Sequence, residues 1–380
     1  MYVFSSKIEV PAGITLAGYG DRVSNPTTQK GVLEVHGIGC DTRASWEICS
    51  VDSLYSGVLA TPKFGLPVQR VVAASHTHYA PMLDAGKPSL GVYSEEIGSS
   101  WIKAIEQSRK MAVEPDTCSV YRGQVEIPVY RRFDYPGSLL DHFLTRYAGF
   151  YPNEALPVDK GVYIFVFSRN GTALFAFVYH ACHPVTRHDE MAVSADYVLA
   201  LRQSVEARFE TPHCLFFLGC AADIRPNLAR KRVNWLPRGR VNWRFKYPPT
   251  AGDEESIDLQ YRQAVLQSRM LNTFRASEAD FSLATRQLNL EQAAPVEIPC
   301  LRIGDQLNFS FLPFEVSHRF QLEAMAGSGH QKKFIVSCAG DTRGYLPHPE
   351  QVRFGGYEVD GSRSHMGLDA RLVTTGGDVW

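Results

Sequence analysis

Residues able to bind metals or move protons recur in this sequence just behind apolar runs. The first group, Ser75-His76-Thr77-His78, follows Val71-Val72-Ala73-Ala74. In an extended segment alternate side chains point the same way, which puts His76 and His78 on one side, one imidazole holding a metal while the other works beside it. The pair alone would serve a structural role equally well. A second group, His180, Cys182, His183 and His188 around Pro184, points toward function, because neutral histidine has no apolar packing purpose behind a buried hairpin. Imidazole is a common zinc ligand, and a catalytic zinc takes about three protein ligands and keeps an open position. Glu315, behind the run 309–312, would add an anionic ligand; its commoner alternative is a favourable charge at a helix N-terminus. These residues suit hydrolysis by a metal-activated water, whose pKa falls from about 16 to about 7 on zinc. A competing chemistry takes Cys182 or Cys220 as nucleophile, which needs a partly exposed thiol of lowered pKa.

The elements that must position these groups are short and apolar. Runs 71–74, 163–167, 174–179, 215–218, 307–312 and 334–336 are rich in β-branched or aromatic residues and of strand length. Asn170-Gly171, between the second and third of these, predicts a tight hairpin. Helices are expected at 101–112, 195–209, 256–274 and 316–326, interleaved with the strands. The mixture predicts an α/β fold, with α+β as the variant: mixed sheets flanked by helices, and an active site in the loops at strand ends. Gly219-Cys220-Ala221-Ala222-Asp223 and Ser337-Cys338-Ala339-Gly340-Asp341 lie at two further strand ends, so one convergent pocket accounts for all of these groups.

The chain has 380 residues, 44% apolar and 21% charged, enough to bury a sizeable core, and no internal repeat divides it. A single domain over 1–380 is expected. A formal net charge of −1 gives no reason to expect nucleic acid or an anionic membrane as the main partner. The N-terminus lacks a basic start followed by an apolar core, and no run approaches the roughly 20 apolar residues of a membrane span, which predicts a cytoplasmic protein. The eight cysteines lack CxxC spacing, as expected of reduced, mostly buried thiols. One segment departs from this even background: 225–246 carries eight Arg or Lys residues, no acid, and both Trp235 and Trp243. Basic residues interleaved with aromatics suit nucleic acid; a solvated loop neutralised by Asp253-Glu254-Glu255 is the bland alternative. The reading ranked first is a basic loop or insertion at about 225–250 that forms a lid or rim attracting an anionic substrate.

Leu16-Ala17-Gly18-Tyr19-Gly20, Ser75-His76-Thr77-His78-Tyr79-Ala80-Pro81, His183-Pro184, Val193-Ser194-Ala195-Asp196-Tyr197, Gly219-Cys220-Ala221-Ala222-Asp223-Ile224-Arg225-Pro226-Asn227 and Pro313-Phe314-Glu315 resemble, in this order, motifs in the catalytic domain of neutral/alkaline ceramidase-like proteins. The resemblance spans most of the chain. It implies a Zn2+ ion held by His76, His183, Glu315 and a tyrosine, whose position falls on Tyr345. Tyr357, in Gly355-Gly356-Tyr357-Glu358, takes the place of a second tyrosine that helps to polarise the scissile carbonyl. His78 matches a histidine beside the zinc. Arg131 matches an active-site arginine, with the adjacent Arg132 as the other choice. His78 is favoured over Glu315 as proton carrier, since a zinc-bound glutamate is a poor base. Asp196 and Asp223 are candidates to orient the histidines by hydrogen bonds, with helix capping or turn formation as the alternative.

The resemblance breaks at Arg225, where ceramidases proper carry serine. A positive, bidentate side chain at the pocket suits a substrate carboxylate or phosphate better than a sphingoid hydroxyl. The chain also ends at Trp380, with no room for the extra β-sandwich domain of full-length ceramidases. The expected activity is therefore hydrolysis of a small soluble acyl amide, carboxylate-bearing, with no nucleic-acid or membrane partner. An amide-forming or cyclising enzyme on the same zinc site, or a non-catalytic metal-binding module, are the alternatives.

Overall fold

Residues 1–19, 22, 26–27, 29–41, 45–59, 69–132, 152–233, 241–245, 248–290, 294–327 and 329–361 are described by the structure, a computed structural model. The chain opens with an antiparallel pair, β1 (Tyr2–Val10) and β2 (Gly31–Cys40). Strands β3 (Trp46–Val51), β4 (Gln69–Ala74) and β5 (Met111–Ala112) extend it to a sheet of order β4-β3-β2-β1-β5, with β3 and β4 parallel. Then follow β6 (Thr117–Gln124), β7 (Pro128–Tyr130), β8 (Gly161–Arg169), β9 (Thr172–His180), β10 (Cys214–Leu218), β11 (Ile224–Pro226), the antiparallel ribbon β12 (Ala229–Val233) and β13 (Val241–Phe245), and β14 (Arg269–Arg275). The second sheet runs β10-β9-β8-β6-β14, while β7 and β11 pair apart from it. The third, β15-β16-β17-β19, uses β15 (Phe281–Leu288), β16 (Val296–Ile303), β17 (Leu307–Phe311) and β19 (Lys332–Val336); short β18 (Glu315–Val316) pairs in parallel with β20 (Tyr345–Leu346). Helices α1 (Glu95–Gln107), α2 (Tyr197–Phe209), α3 (Ala251–Leu266) and α4 (His318–Gly327) lie between strands in sequence, and α5 (Pro349–Val352) follows the last of them. The architecture is α/β with mixed sheets, as the run pattern predicts.

The second sheet explains why its strands read as unbroken apolar runs. Both of its faces are covered, so period-two alternation sorts side chains between two cores instead of between core and water. Phe216 and Leu218 of β10, with Ile164 and Val178, pack with Tyr197 and Leu201 of α2 and Tyr261 of α3. Their strand neighbours Leu215, Phe217, Phe165 and Phe177 face Phe309, Phe311 and Phe334 of the third sheet. The β8–β9 hairpin turns at Asn170 and Gly171 with φ of 51° and 82°, the paired positive values that Asn-Gly accommodates.

Two helix expectations shift. The helix expected at 101–112 starts at Glu95, where Ser94 caps it, and stops at Gln107, leaving Met111–Ala112 to pair with β1. The one expected at 256–274 starts at Ala251 behind a Thr250–Asp253 capping box and ends at Leu266. Residues 269–275 instead form edge strand β14 against β6, where sheet pairing overrides a weak local helix preference. Of residues 225–246, those described form β11 and the β12–β13 ribbon; residues 234–240 and 246, which include Trp235, Arg238, Arg240 and Lys246 on which the expected lid draws, lie outside the described residues. Among the described residues no helix is long and apolar enough to cross a membrane.

Candidate metal centre

Three sheets meet where the site lies. Behind β19 the chain crosses from one to the next: Ser337 N–H donates to Leu218 O of β10, Ala339 N–H to Leu312 O behind β17, and Gly340 N–H to Val72 O of β4, while Cys338 O accepts from Ala74 N–H. This splice brings together the ends of β4, β9, β10 and β17, and with them His76, His183, the 219–224 turn and Glu315.

The two histidines do not meet by strand alternation. His76 adopts φ 63°, a left-handed conformation rare for a residue with a Cβ, so a turn brings its ring edge-on to His78 at 5.1 Å and to His183 at 4.9 Å. Backbone carbonyls set the ring orientations. His76 Nδ1 lies 3.0 Å from Leu54 O, and His183 Nδ1 lies 2.7 Å from Ala221 O and 3.0 Å from Ile224 O. A carbonyl only accepts, so both Nδ1 atoms carry a proton and both Nε2 atoms are left to face the site. These point at one atom, Glu315 Oε2, at 3.5 and 3.6 Å. That oxygen is buried and makes no hydrogen bond, whereas Oε1 accepts from Tyr55 Oη at 2.6 Å. Burial opposes the charge on Glu315, but the imidazoles of His76 and His183 outweigh it and hold the carboxyl well below its usual range. Burial lowers His183 to about 4, which keeps its ring neutral.

His78 is half-buried as a residue, yet both its ring nitrogens are buried and make no hydrogen bond. Burial, then the neighbouring His76 and His183 rings and Arg22, push its pKa well below the usual value. Its ring rests on Tyr19 at 4.8 Å. Gly18, with φ 101°, leaves room for it: a Cβ there would come within 2.4 Å of His78 Nδ1.

The ligand atoms of His76, His78 and His183 lie within 4.8 Å of one another, a group that could hold a metal ion. A buried carboxylate oxygen without a hydrogen bond faces the inward-turned Nε2 atoms of His183, which stays neutral, and of His76, where burial opposes the charge but Cys338 and Glu315 outweigh it and raise the pKa well above its usual value. This set of donor atoms fits a divalent cation of the zinc type, which would take the place of the His76 proton.

Tyr345 pairs with Glu315 in the β18–β20 ladder, so both side chains leave the same face. Tyr345 and Tyr357 line the same cleft as His76, His78, Tyr55 and Glu315, with their own rings 5.6 Å apart. Arg131 lies 5.7 Å from the Tyr357 ring and donates to Glu358 Oε1 at 2.8 Å; Arg132 donates to Glu358 Oε2 at 2.6 Å and to Gly355 O at 2.7 Å. Arg131 thus stands beside the tyrosines, and Arg132 braces the segment that carries Tyr357. Arg225 is half-buried on β11, and its charge acts on Tyr19, the residue against His78.

The aspartates take the capping alternative. Asp196 caps α2 through Tyr197 N–H and accepts from the N–H and hydroxyl of Thr186, so it holds the loop behind His183 without touching an imidazole. Asp223 accepts from His318 N–H at the start of α4, Ser317 Oγ and Gln351 Nε2. Of the second histidine group only His183 reaches the site. His180 has a packing purpose: buried against Tyr197 and Tyr261, it bonds Gly161 O and Tyr261 Oη. His188 is exposed and paired with Glu254. Cys182 and Cys220 are buried, with thiols pushed up by burial, the opposite of an activated nucleophile.

The sequence reading missed Tyr55, Tyr19, Glu358 and Cys338, whose Sγ lies 3.6 Å from His76 Nδ1. Tyr55 follows β3 and obeys the strand-end rule that located the others; Glu358 adjoins Tyr357 in sequence.

Among solved structures the fold matches neutral ceramidase from Pseudomonas aeruginosa, with a TM-score of 0.60 and 13% identity over 94% of this chain and 70% of that one. It also matches a ceramidase complexed with C2, with a TM-score of 0.62 and 13% identity over 98% of this chain and 75% of that one. No protein-family model and no curated protein sequence matches the chain. The chain has a ceramidase-like fold.

Proposed function

We propose that this protein is a zinc-dependent amidohydrolase that cleaves a small, anionic acyl amide. The observation that carries the reading is Glu315 Oε2, buried without a hydrogen bond between two inward-facing Nε2 atoms. His76, His183 and Glu315 would hold the ion, with Tyr345 completing the set from the paired strand. A bound zinc supplies Lewis acidity at neutral pH. The chain's own groups do the rest. His78, whose buried ring nitrogens make no hydrogen bond and lie beside the ligand atoms of His76 and His183, takes up and returns the proton. Tyr357, with Arg131 behind its ring, donates to the oxygen that gains charge as the amide carbon becomes tetrahedral, in a site poor in water where such a donor acts strongly. Arg225, on the Tyr19 side of His78, meets the substrate's anionic group. The buried, high-pKa thiols of Cys182 and Cys220 speak against the nucleophilic-cysteine route.

The test is zinc content of the purified chain beside His76→Ala, His183→Ala and Glu315→Ala, followed by a panel of N-acyl amino acids and neutral acyl amides. About one zinc per chain, lost in the variants, together with preferential hydrolysis of the anionic amides, supports the proposal. Zinc content untouched by all three substitutions overturns it.

A further inference from the structure

A second cavity, of about 360 Å3, opens where the β6–β14 edge of the second sheet meets the starts of β17 and β19. Its volume lies in the range of small-ligand sites, about 300–1,000 Å3. It shares no residue with the metal cleft. Leu307 and Lys332, paired at the first rung of the β17–β19 ladder, line it, whereas Glu315 and the splice follow the last rung, Phe311 with Val336. Four rungs of strand separate the two, roughly 13 Å. The two sites therefore occupy opposite ends of one parallel pair.

The lining is two-sided in chemistry. Val120, Leu307 and Phe334 are buried apolar wall, and Leu271 forms a lip at 59% exposure on edge strand β14. Arg122, Lys332 and Lys333 also line the cavity, and no carboxylate does. Arg122 shares its charge with Asp159 at 3.7 Å, but exposed Lys332 makes no ion pair among the described residues. An apolar trough with ammonium groups at its edge complements a molecule whose chain wants to leave water while its charged head does not. A neutral lipid leaves those cations unused, and a cationic amphiphile is repelled by them.

We propose that this cavity binds a single-chain aliphatic carboxylate, the chain along Leu271, Val120 and Phe334 and the head at Lys332. The site is separate from the amidohydrolase centre and does not depend on it.

The test titrates the full chain calorimetrically with decanoate and, separately, with decylammonium. Decanoate is expected to bind one per chain and at least about fivefold more tightly than decylammonium, the charge reversal at a surface pair setting the scale. Lys332→Glu and Leu271→Asp alter exposed side chains, so the fold survives, and each should weaken decanoate severalfold. Glu315→Ala, shown folded by circular dichroism, should leave decanoate binding unchanged. Equal affinity for both amphiphiles, no binding at millimolar decanoate, or binding lost in Glu315→Ala but kept in the two lip variants overturns the proposal. The last outcome would seat the chain in the metal cleft, and none of them bears on whether that cleft holds zinc.

Discussion

Replacing Tyr55 with phenylalanine deletes one oxygen from beside the candidate metal centre. That hydroxyl donates to Glu315 Oε1 at 2.6 Å, with both residues buried, and phenylalanine leaves no substitute donor. A hydrogen bond to a charged group contributes about 1.5–3 kcal/mol. Because the bond holds Oε1 and turns Oε2 toward His76 and His183, its loss falls on the geometry that receives the ion. Losing the partner of a metal ligand typically weakens metal binding about 10–100-fold, or about 1.4–2.8 kcal/mol. The two ranges coincide, which is the expected result if the hydroxyl acts chiefly through Glu315. Competition with a chromophoric chelator at pH 7 should therefore show zinc affinity down about 10–100-fold in Tyr55→Phe. The ring stays, with its 5.4 Å contact to His76, so urea unfolding of the metal-free chain should lose no more than about 3 kcal/mol. Unchanged zinc affinity alongside a loss of metal-free stability would refute the reasoning and make the hydroxyl a packing group.

Glu358→Gln leaves Arg131 and Arg132, both buried, sharing an uncharged partner; breaking such a pair costs about 3–5 kcal/mol. Faster hydrogen exchange in 355–361 and weaker carbonyl polarisation, read as a fall in kcat with zinc retained, are the expected signs. Gly18→Ala forces a Cβ to 2.4 Å from His78 Nδ1 at φ 101° and should displace that ring. Zinc retained with activity lost makes His78 the proton carrier, whereas zinc lost makes it a ligand. Arg225→Ser should raise KM for anionic amides about tenfold or more, from one charged hydrogen bond, and leave neutral amides unaffected; a parallel change for both would remove Arg225 from recognition. His180 is lowered by burial from 6.5 to about 4, so the unfolded chain binds its proton first as pH falls. Its contribution to stability is full above pH 6.5 and is lost between 6.5 and 4, at most about 3 kcal/mol by linkage. The pH 7-to-5 loss in urea unfolding should be smaller in His180→Gln, and an identical slope would count against the assignment.

The buried strands were legible because apolar runs bounded by turn residues have few other uses, and Asn170-Gly171 fixed a hairpin by backbone preference alone. Edge strand β14 was not. Its residues Met270 to Phe274 suit helix or strand, and only the partner strand β6, far away in sequence, decides between them. Within the site, His76, His183 and Glu315 stood out because each follows an apolar run. The orienting groups were hidden for a physical reason: Leu54 O, Ala221 O and Ile224 O are backbone atoms, which any side chain supplies equally well. By residue type Asp196 and Asp223 suit orienting the histidines and capping or turn formation equally well. The fold uses them to cap α2 and α4, the helices that hold the loops bearing those carbonyls and Glu315.

That arrangement gives the splice at 337–340 a consequence beyond positioning. It binds β4, β10 and the end of β17 through backbone hydrogen bonds, and the site holds two residues in a left-handed conformation: Cys338 of the splice at φ 54° and His76, just behind β4, at φ 63°. A left-handed conformation at such residues costs about 1–3 kcal/mol each. Without an ion, the strain adds to the desolvation cost of a buried carboxylate oxygen that makes no hydrogen bond. A metal held by His76, His183 and Glu315 would tie the same three sheets a second time, through side chains, and would give that oxygen a partner. Metal affinity and the cohesion of the sheets are then one quantity measured in two ways, since a ligand that binds only the folded chain stabilises it by its own binding free energy. Substitutions at the splice, even ones that touch no ligand, should therefore move zinc affinity and unfolding together.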